Sequence, residues 1–290
     1  MLPQFDYARP DTLQDVCRLL AANPDAARPL AGGTDLIFDM RLGKKSPALV
    51  VDLKCVPGLD EISFDADGAM RLGALVRTRD IEQSDRIRQE FSALTDAIDV
   101  LASVQIRNRA RLGGNLCHAS PSADTPPALI ALGATVDIAG PDGTRSLPLE
   151  AFFTGPGKTV LTAGEVLAAV TLPPVPAGGG SAYIRNTVRK AMDLAIIGVG
   201  AMLVLDRDGR CAKAGIGLGA VAPKPLRAHD AEAFLTGKQL DDATIAEAAK
   251  LARSIATPIS DVRSQADYRA DMVEVYTRRT LALALSRAAA

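Results

Sequence analysis

Three prolines and three glycines crowd into Pro173-Pro174-Val175-Pro176-Ala177-Gly178-Gly179-Gly180, and no other feature constrains the chain so strongly. Proline removes an amide donor and fixes φ, while glycine raises the entropic cost of regular structure, so the run reads as a domain boundary. Three β-prone segments follow it: Ala182–Val188, Ala195–Leu205 and Cys211–Leu218. The last two flank Asp206-Arg207-Asp208-Gly209, a hairpin signal. From Ala228 onward the chain is alanine-rich and helical, ending in Tyr268–Ala288. Strands followed by helices predict an α+β domain rather than a doubly wound sheet.

On the other side of the boundary, residues 1–55 alternate strand, helix, strand, glycine turn, helix, strand. Phe5–Tyr7 is a short extended start, and Asp11 or Thr12 can cap a helix with Leu13, Val16, Leu19 and Leu20 at helical spacing. Arg28–Leu30 leads into Ala31-Gly32-Gly33-Thr34-Asp35, and Ala48–Leu53 is a β-prone run. Residues 56–176 mix short strands with helices. Asp67-Gly68 marks one hairpin and Gly140-Pro141-Asp142-Gly143 another, and the stretch from Asp85 to Ser103 reads as helical. A second glycine loop stands at Gly113-Gly114-Asn115; Pro126–Leu132 opens a helix capped by Asp124 or Thr125, and Val166–Leu172 is a further strand. The expected division is thus 1–55, 56–176 and 177–290, the last with a three-stranded sheet and helices.

Composition excludes several classes of function. With 290 residues, 48% of them hydrophobic, the chain can bury a large core. Formal net charge is −1 and no basic stripe is visible, which excludes a nucleic-acid partner on electrostatic grounds. Apolar runs such as Ala195–Leu205 contain glycines and are too short for a bilayer, so no transmembrane segment is expected. The start MLPQFDYARP lacks a basic n-region followed by an apolar h-region, and a cytoplasmic location without a cleaved signal is expected. Cys17, Cys55, Cys117 and Cys211 are scattered without CxxC spacing, which predicts buried thiols rather than cluster or metal ligands. The two histidines, His118 and His229, come with no nucleophile-elbow pattern.

The two glycine loops carry the chemistry. Ala31-Gly32-Gly33-Thr34-Asp35-Leu36 follows a strand and opens a helix, where consecutive N–H groups can hold a phosphate. Arg111-Leu112-Gly113-Gly114-Asn115-Leu116 can do the same from a second side. From the residues alone, two tight turns and a split diphosphate site both remain open. No GxGxxG follows a strand within a βαβ unit and no GxxxxGK[ST] loop occurs, so a dinucleotide site here is not of the Rossmann type. Gly198-Val199-Gly200 lies inside a strand pattern and reads as close backbone packing.

Together these motifs resemble the FAD-binding medium subunit of the xanthine dehydrogenase and aerobic carbon monoxide dehydrogenase family of molybdenum hydroxylases. The resemblance rests on Pro29 to Leu36, on Gln105-Ile106-Arg107-Asn108, and on Gly113-Gly114-Asn115-Leu116-Cys117-His118-Ala119-Ser120-Pro121-Ser122-Ala123-Asp124. It continues through Gly164-Glu165-Val166-Leu167, Tyr183-Ile184-Arg185, Arg189-Lys190-Ala191-Met192-Asp193, Ala256-Thr257-Pro258, Tyr268-Arg269 and Arg278-Arg279, and so spans essentially the whole chain. It implies a two-subdomain FAD-binding fold of the vanillyl-alcohol-oxidase (PCMH) type, followed by an antiparallel-sheet-plus-helices domain. It implies non-covalent FAD between the first two parts. Ala31, Gly32, Gly33, Thr34, Asp35 and Leu36, with Arg111, Leu112, Gly113, Gly114 and Asn115, would line the diphosphate. Asp124 would accept a hydrogen bond from the cofactor's ribityl or ribose part, Leu167 would contact the adenine side, Arg185 would stand near the flavin where relatives have lysine, and Leu194 beside the isoalloxazine.

Three departures from the family pattern stand out. Ala110-Arg111-Leu112-Gly113-Gly114-Asn115 replaces Gly-Thr-Ile-Gly-Gly-Asn, and the new arginine can pair with the diphosphate or point to solvent. Leu194 replaces a tyrosine that some relatives place against the ring. The short link from Asn115 to Asp124 has no room for the cysteine-rich insertion of the reductive branch, which favours the oxidative type. Arg107 and Arg109 read as a solvated face, Tyr183 and Phe5 as core, and His118 as a polar neighbour of the cofactor rather than a base. The implied function is an oxidoreductase subunit that takes electrons from a two-iron two-sulfur small subunit, beside a large subunit holding molybdopterin. It would pass them to NAD, quinone, oxygen or another carrier, the whole forming a dimer of heterotrimers. A stand-alone FAD oxidase or reductase and a non-enzymatic binding module are the rival readings.

Overall fold

A computed structural model describes residues 2–189 and 191–289. Lys190, within the Arg189–Asp193 motif, lies outside them.

The N-terminal part runs β1 (Asp6–Ala8), α1 (Leu13–Ala22), β2 (Ala27–Leu30), α2 (Leu36–Arg41), β3 (Leu49–Asp52). Its strands form a three-stranded sheet of order β1-β3-β2, parallel throughout. Of the two candidate caps of α1, Thr12 takes the place, its hydroxyl accepting from the Asp15 N–H. Val16, Cys17 and Leu20 form the buried face of α1. They pack on Val51 and Leu53 and reach across to Ala139, Val166 and Ala168 of the next sheet. That shared core fixes the first part against the second, because burying this apolar surface is the main stabilising term.

The second part begins with the hairpin β4 (Ile62–Phe64) and β5 (Met70–Gly73), its turn closed by Gly68 at φ 90°. Short helices follow: α3 (Thr78–Glu82), α4 (Asp85–Glu90), α5 (Ser92–Asp99), α6 (Val104–Arg107), α7 (Leu112–His118) and α8 (Thr125–Ala131). The stretch 85–103, expected to be helical, is divided into α4 and α5. Phe91 leaves helical geometry (φ −126°, ψ 48°) between α4 and α5, and its ring is fully buried there. Core packing of one aromatic side chain outweighs the helical propensity of its neighbours. β6 (Thr135–Gly140), β7 (Gly143–Pro148), β8 (Phe153–Gly155), β9 (Lys158–Thr159) and β10 (Val166–Leu172) complete this part. The main sheet is five-stranded and antiparallel, order β4-β5-β10-β6-β7, with β10 at its centre and buried save for Thr171.

The third part is an antiparallel meander, β11 (Gly179–Asn186), β12 (Ile197–Leu205), β13 (Cys211–Gly219) and β14 (Leu226–Arg227), followed by α9 (His229–Leu235), α10 (Asp242–Ser254) and α11 (Ala266–Ala288). The sheet has four strands, not the expected three. β14 is a two-residue piece just after Pro223 and Pro225, too short to show a period. The helices cover one face. The other face rests on α8, so closely that a Cβ on Gly200 or Gly217 would stand 2.5 or 2.1 Å from the Pro127 carbonyl oxygen. This seating presses the C-terminal part against the helix that follows the second glycine loop.

Candidate functional site

The three parts meet around a cavity of about 710 Å³. Both glycine loops line it, as do Leu167 of β10 and Leu194 from the β11–β12 connection. Its size falls in the range of small-molecule and cofactor sites, about 300–1,000 Å³.

The first loop, Ala31 to Asp35 with Leu36 opening α2, turns through Gly33 at φ +76°, a conformation that L side chains rarely adopt. Among the described residues the N–H groups of Gly32, Gly33, Thr34 and Asp35 find no protein acceptor, which leaves a row of donors at the cavity. Beneath them Lys54 pairs with buried Asp52 at 2.7 Å and reaches the Ala31 carbonyl, tying the loop to the end of the central strand. Asp52 also accepts from the Tyr7 hydroxyl. These bonds hold its carboxyl below the usual range against the opposing effect of burial.

The second loop is anchored from behind. Leu112 N–H donates to Val76 and Gly113 N–H to the Ala74 carbonyl, while the Gly114 N–H has no acceptor among the described residues. Gly32 touches this segment directly: a Cβ there would lie 2.2 Å from the Arg109 carbonyl oxygen. Gly114 differs, since a Cβ on it would meet only the Ala31 Cβ, at an ordinary 3.6 Å. Asn115 Oδ1 accepts from the Thr125 hydroxyl at 2.6 Å, which orients the amide and leaves its NH2 group available to the cavity.

Two expected site residues are not on the cavity wall. Leu112 is fully buried in the core of the second part, because the first turn of α7 sends its apolar side chain inward. Arg185 is buried too, its Nη1 bonded at 2.8 Å to Asp124 Oδ2, while Asp124 Oδ1 accepts from the Tyr183 hydroxyl at 2.8 Å. Asp124 does line the cavity, but its oxygens already hold these two partners, and its side chain makes no capping bond to α8. Burial pushes this carboxyl above its ordinary value, opposed by Arg185 and by the Tyr183 bond. The pair thus clamps β11 to α8 beside the cavity.

Arg107 is a second correction. Instead of a solvated face it is 7% exposed and forms a two-pronged ion pair with Glu82, at 2.8 and 2.9 Å, while Nη1 donates to the Leu101 carbonyl. It braces the turn that delivers the second loop. Arg109 is exposed as expected. His118 is exposed at the cavity rim, and burial pushes the neighbouring Cys117 thiol up to about 12.

Wall residues beyond the expected set include Ile106, Leu161, Glu165 and Met192. Glu165 is held by Arg145 at 2.7 and 2.9 Å and by the Thr162 N–H; the Arg145 bond, chief among these, brings its carboxyl down to about 2. Asp193 accepts from the Arg189 and Leu194 N–H groups, which lower its carboxyl and lock the tip that presents Met192 (φ +53°) and Leu194. No short motif announces Leu161, because its place depends on tertiary folding, whereas Ile106, Glu165 and Met192 each lie in a stretch that carries the family resemblance.

Unsatisfied donors from two touching loops, beside a mostly apolar cavity of cofactor size, suit a dinucleotide whose diphosphate is gripped by backbone and whose ring is covered by aliphatic side chains. Fold and site therefore define a protein built to hold a nucleotide cofactor. Comparison with known proteins carries this further. Residues 3–175 match the profile of the FAD binding domain in molybdopterin dehydrogenase, and residues 182–284 that of the CO dehydrogenase flavoprotein C-terminal domain. The chain belongs to this family, as an FAD-binding oxidoreductase subunit of PCMH-type fold. It is 35% identical to the 6-hydroxypseudooxynicotine dehydrogenase complex subunit alpha of Paenarthrobacter nicotinovorans, covering 99% of this chain and 96% of that one. It is 34% identical to the carbon monoxide dehydrogenase medium chain of Afipia carboxidovorans, covering 99% of both. Among solved structures, a carbon monoxide dehydrogenase chain from Hydrogenophaga pseudoflava superposes with a TM-score of 0.94 at 31% identity, covering 99% of each chain.

Proposed function

We propose that this chain relays electrons from a two-iron two-sulfur partner subunit to an external acceptor, within a complex whose large subunit holds the molybdenum–pterin centre. The observation that carries the reading is the state of the acidic groups on the cavity wall near Leu194 and Leu167. Asp124, Glu165 and Asp193 are each tied to an arginine, Arg185, Arg145 and Arg189. A general base for an organic substrate needs a carboxylate or imidazole free to take a proton. Three of the four carboxylates on the wall are thus committed to holding it in shape, which suits a chain that positions a cofactor; the fourth, Asp35, belongs to the first glycine loop.

FAD supplies the redox chemistry when bound, exchanging electrons singly or in pairs, while the protein sets orientation, potential and access. The N–H groups of Gly32 to Asp35 and of Gly114 would hold the diphosphate, Leu167 would cover the adenine side, and Leu194 would lie along the ring. The tip carrying Leu194 exposes Val188 and Met192 as well, an apolar edge on which a partner or acceptor can approach. FAD would be non-covalent, since a Cys117 thiol pushed to about 12 offers no thiolate for attachment near neutral pH. Free thiols at all four cysteines favour a reducing compartment, the cytoplasm. No helix among the described residues is long and apolar enough to cross a membrane. A dimer of heterotrimers, with NAD, quinone, oxygen or another carrier as acceptor, completes the reading. Among the described residues no group of three or more His, Cys, Asp or Glu is placed to hold a metal ion.

The test is anaerobic. Candidate substrates are added to the isolated, FAD-loaded chain and to the complex purified with its partners, and flavin bleaching is followed. Bleaching only in the complex, with iron and molybdenum in the co-purified chains, is the expected result. Rapid bleaching of the isolated chain by an organic substrate refutes the relay and favours a stand-alone flavin oxidase.

A further inference from the structure

We propose that the Arg111 side chain is a cationic ligand of the FAD diphosphate, a contact this chain adds to the backbone grip of the two glycine loops. The inference rests on the FAD reading above and deepens it at one residue.

Arg111 precedes α7 with extended backbone (φ −115°, ψ 142°), bridged to Arg77 on the neighbouring segment, and it lines the cavity. Its Nε is buried and finds no acceptor, and the guanidinium makes no ion pair among the described residues. Other cations on the same wall are provided for. Arg28 donates to the carbonyls of Pro24 and Ala27, Lys45 pairs with Asp39 at 3.0 Å, and Arg189 with Asp193. Two acids are close enough to act on Arg111, and neither pairs with it: Asp60 is exposed and makes no ion pair to it among the described residues. The nearby Asp80 is taken by Arg77, bonded at 2.7 Å. A buried guanidinium donor without a partner is costly, and burial together with the adjacent Arg77 charge works against the protonated form.

Two properties of the surroundings name the missing partner. The loops that flank Arg111 offer the cavity N–H donors with no matching acceptors, from Gly32 to Asp35 and from Gly114. A ligand that satisfies them brings several acceptor oxygens and negative charge together, which describes a diphosphate. Guanidinium is also the side chain whose planar fork pairs two-pronged with phosphate oxygens. Of the two fates the sequence left open for Arg111, solvent and diphosphate, the buried Nε favours the second.

The test compares wild type with Arg111→Thr and Arg111→Lys as full-length chains stripped of cofactor, titrated with FAD, ADP and riboflavin. ADP carries the diphosphate without the ring, and riboflavin the ring without phosphate. A charge-assisted contact of this kind predicts that Arg111→Thr weakens FAD and ADP alike, by roughly ten- to a hundredfold, and leaves riboflavin unchanged. Arg111→Lys keeps the charge but not the fork and should fall between. Rising salt should weaken wild type more than Arg111→Thr, and the cofactor-free Arg111→Thr should melt no lower than wild type, since it sheds a half-buried cation whose Nε has no partner. Equal FAD and ADP affinity in Arg111→Thr and wild type overturns the proposal, as does an equal loss for riboflavin. A lower melting point in cofactor-free Arg111→Thr would show a structural role instead. Failure of wild type to bind FAD would remove the cofactor reading itself, an outcome distinct from all of these.

Discussion

Replacing Gly114 separates the cofactor's need for space from the protein's own. A Cβ at this position meets only the Ala31 Cβ at 3.6 Å, an ordinary contact, and its φ lies outside the left-handed range. Gly114→Ala should fold and melt within about 0.5–1 kcal/mol of wild type, helped by the lower entropy cost of alanine in a helical turn. Gly114→Val sends two further methyls into the cavity beside an N–H that has no protein acceptor. Pushing a diphosphate off that N–H and one neighbouring donor forfeits two charge-assisted bonds of about 1.5–3 kcal/mol each, or roughly a hundredfold to ten-thousandfold in affinity. Gly32→Ala acts differently, because its Cβ would collide with the Arg109 carbonyl at 2.2 Å and separate the loops outright. Gly33→Ala would be strained by φ +76°, so its failure would say little about ligand. The assay is flavin released by acid per mole of protein, with circular dichroism and thermal melting in parallel. Gly114→Val that is folded and carries flavin at wild-type affinity refutes the assignment of the second loop to the cofactor.

Other consequences follow from the same geometry. Arg185→Met should cost about 3–5 kcal/mol in denaturant unfolding by leaving Asp124 buried without its counter-ion, whereas an unchanged midpoint would mean that water reaches Asp124. Glu165 is a carboxylate brought down from 4.5 to about 2, so its pairing with Arg145 stabilises the fold fully above the upper value and ceases to do so as pH falls toward the lower. Because Arg145 is 46% exposed, solvent screening leaves this effect at about 1 kcal/mol. Glu165→Gln should flatten the acid limb of the stability curve in that window, and an unaltered limb contradicts the pairing. Acid precipitation should release the flavin into solution, since colour retained in the pellet would establish a covalent bond.

Features set by local backbone chemistry could be read from the amino-acid order. Asp67-Gly68 and Asp206-Arg207-Asp208-Gly209 make the turns their composition suggests, with Gly68 at φ 90° and Gly209 at φ 73°. The first glycine loop likewise stands where a strand hands over to a helix, while the second forms the first turn of α7. What the amino-acid order does not show depends on partners distant along the chain. Arg107 looked like a surface charge because its counter-ion, Glu82, is 25 residues away. Asp124 looked like a free acceptor or helix cap, yet Arg185 lies 61 residues further on. Phe91 interrupts a helical stretch for a core that exists only after folding. Arg111 is the reverse case: its departure from the family pattern was visible in sequence, while its lack of a partner needed three dimensions.

The seating of Gly32 on the Arg109 carbonyl bears on how the cradle comes into being. The two loops are not independent hands that could close on a ligand in sequence, since each is part of the surface that gives the other its form. Bringing them together requires a contact between segments far apart in the chain, a kind of pairing that forms late because a long loop must first be closed. Residues 1–55 produced alone would then carry no half-site. Cofactor loading would follow the docking of the first two parts, and flavin uptake during refolding would report that docking event rather than the collapse of either part.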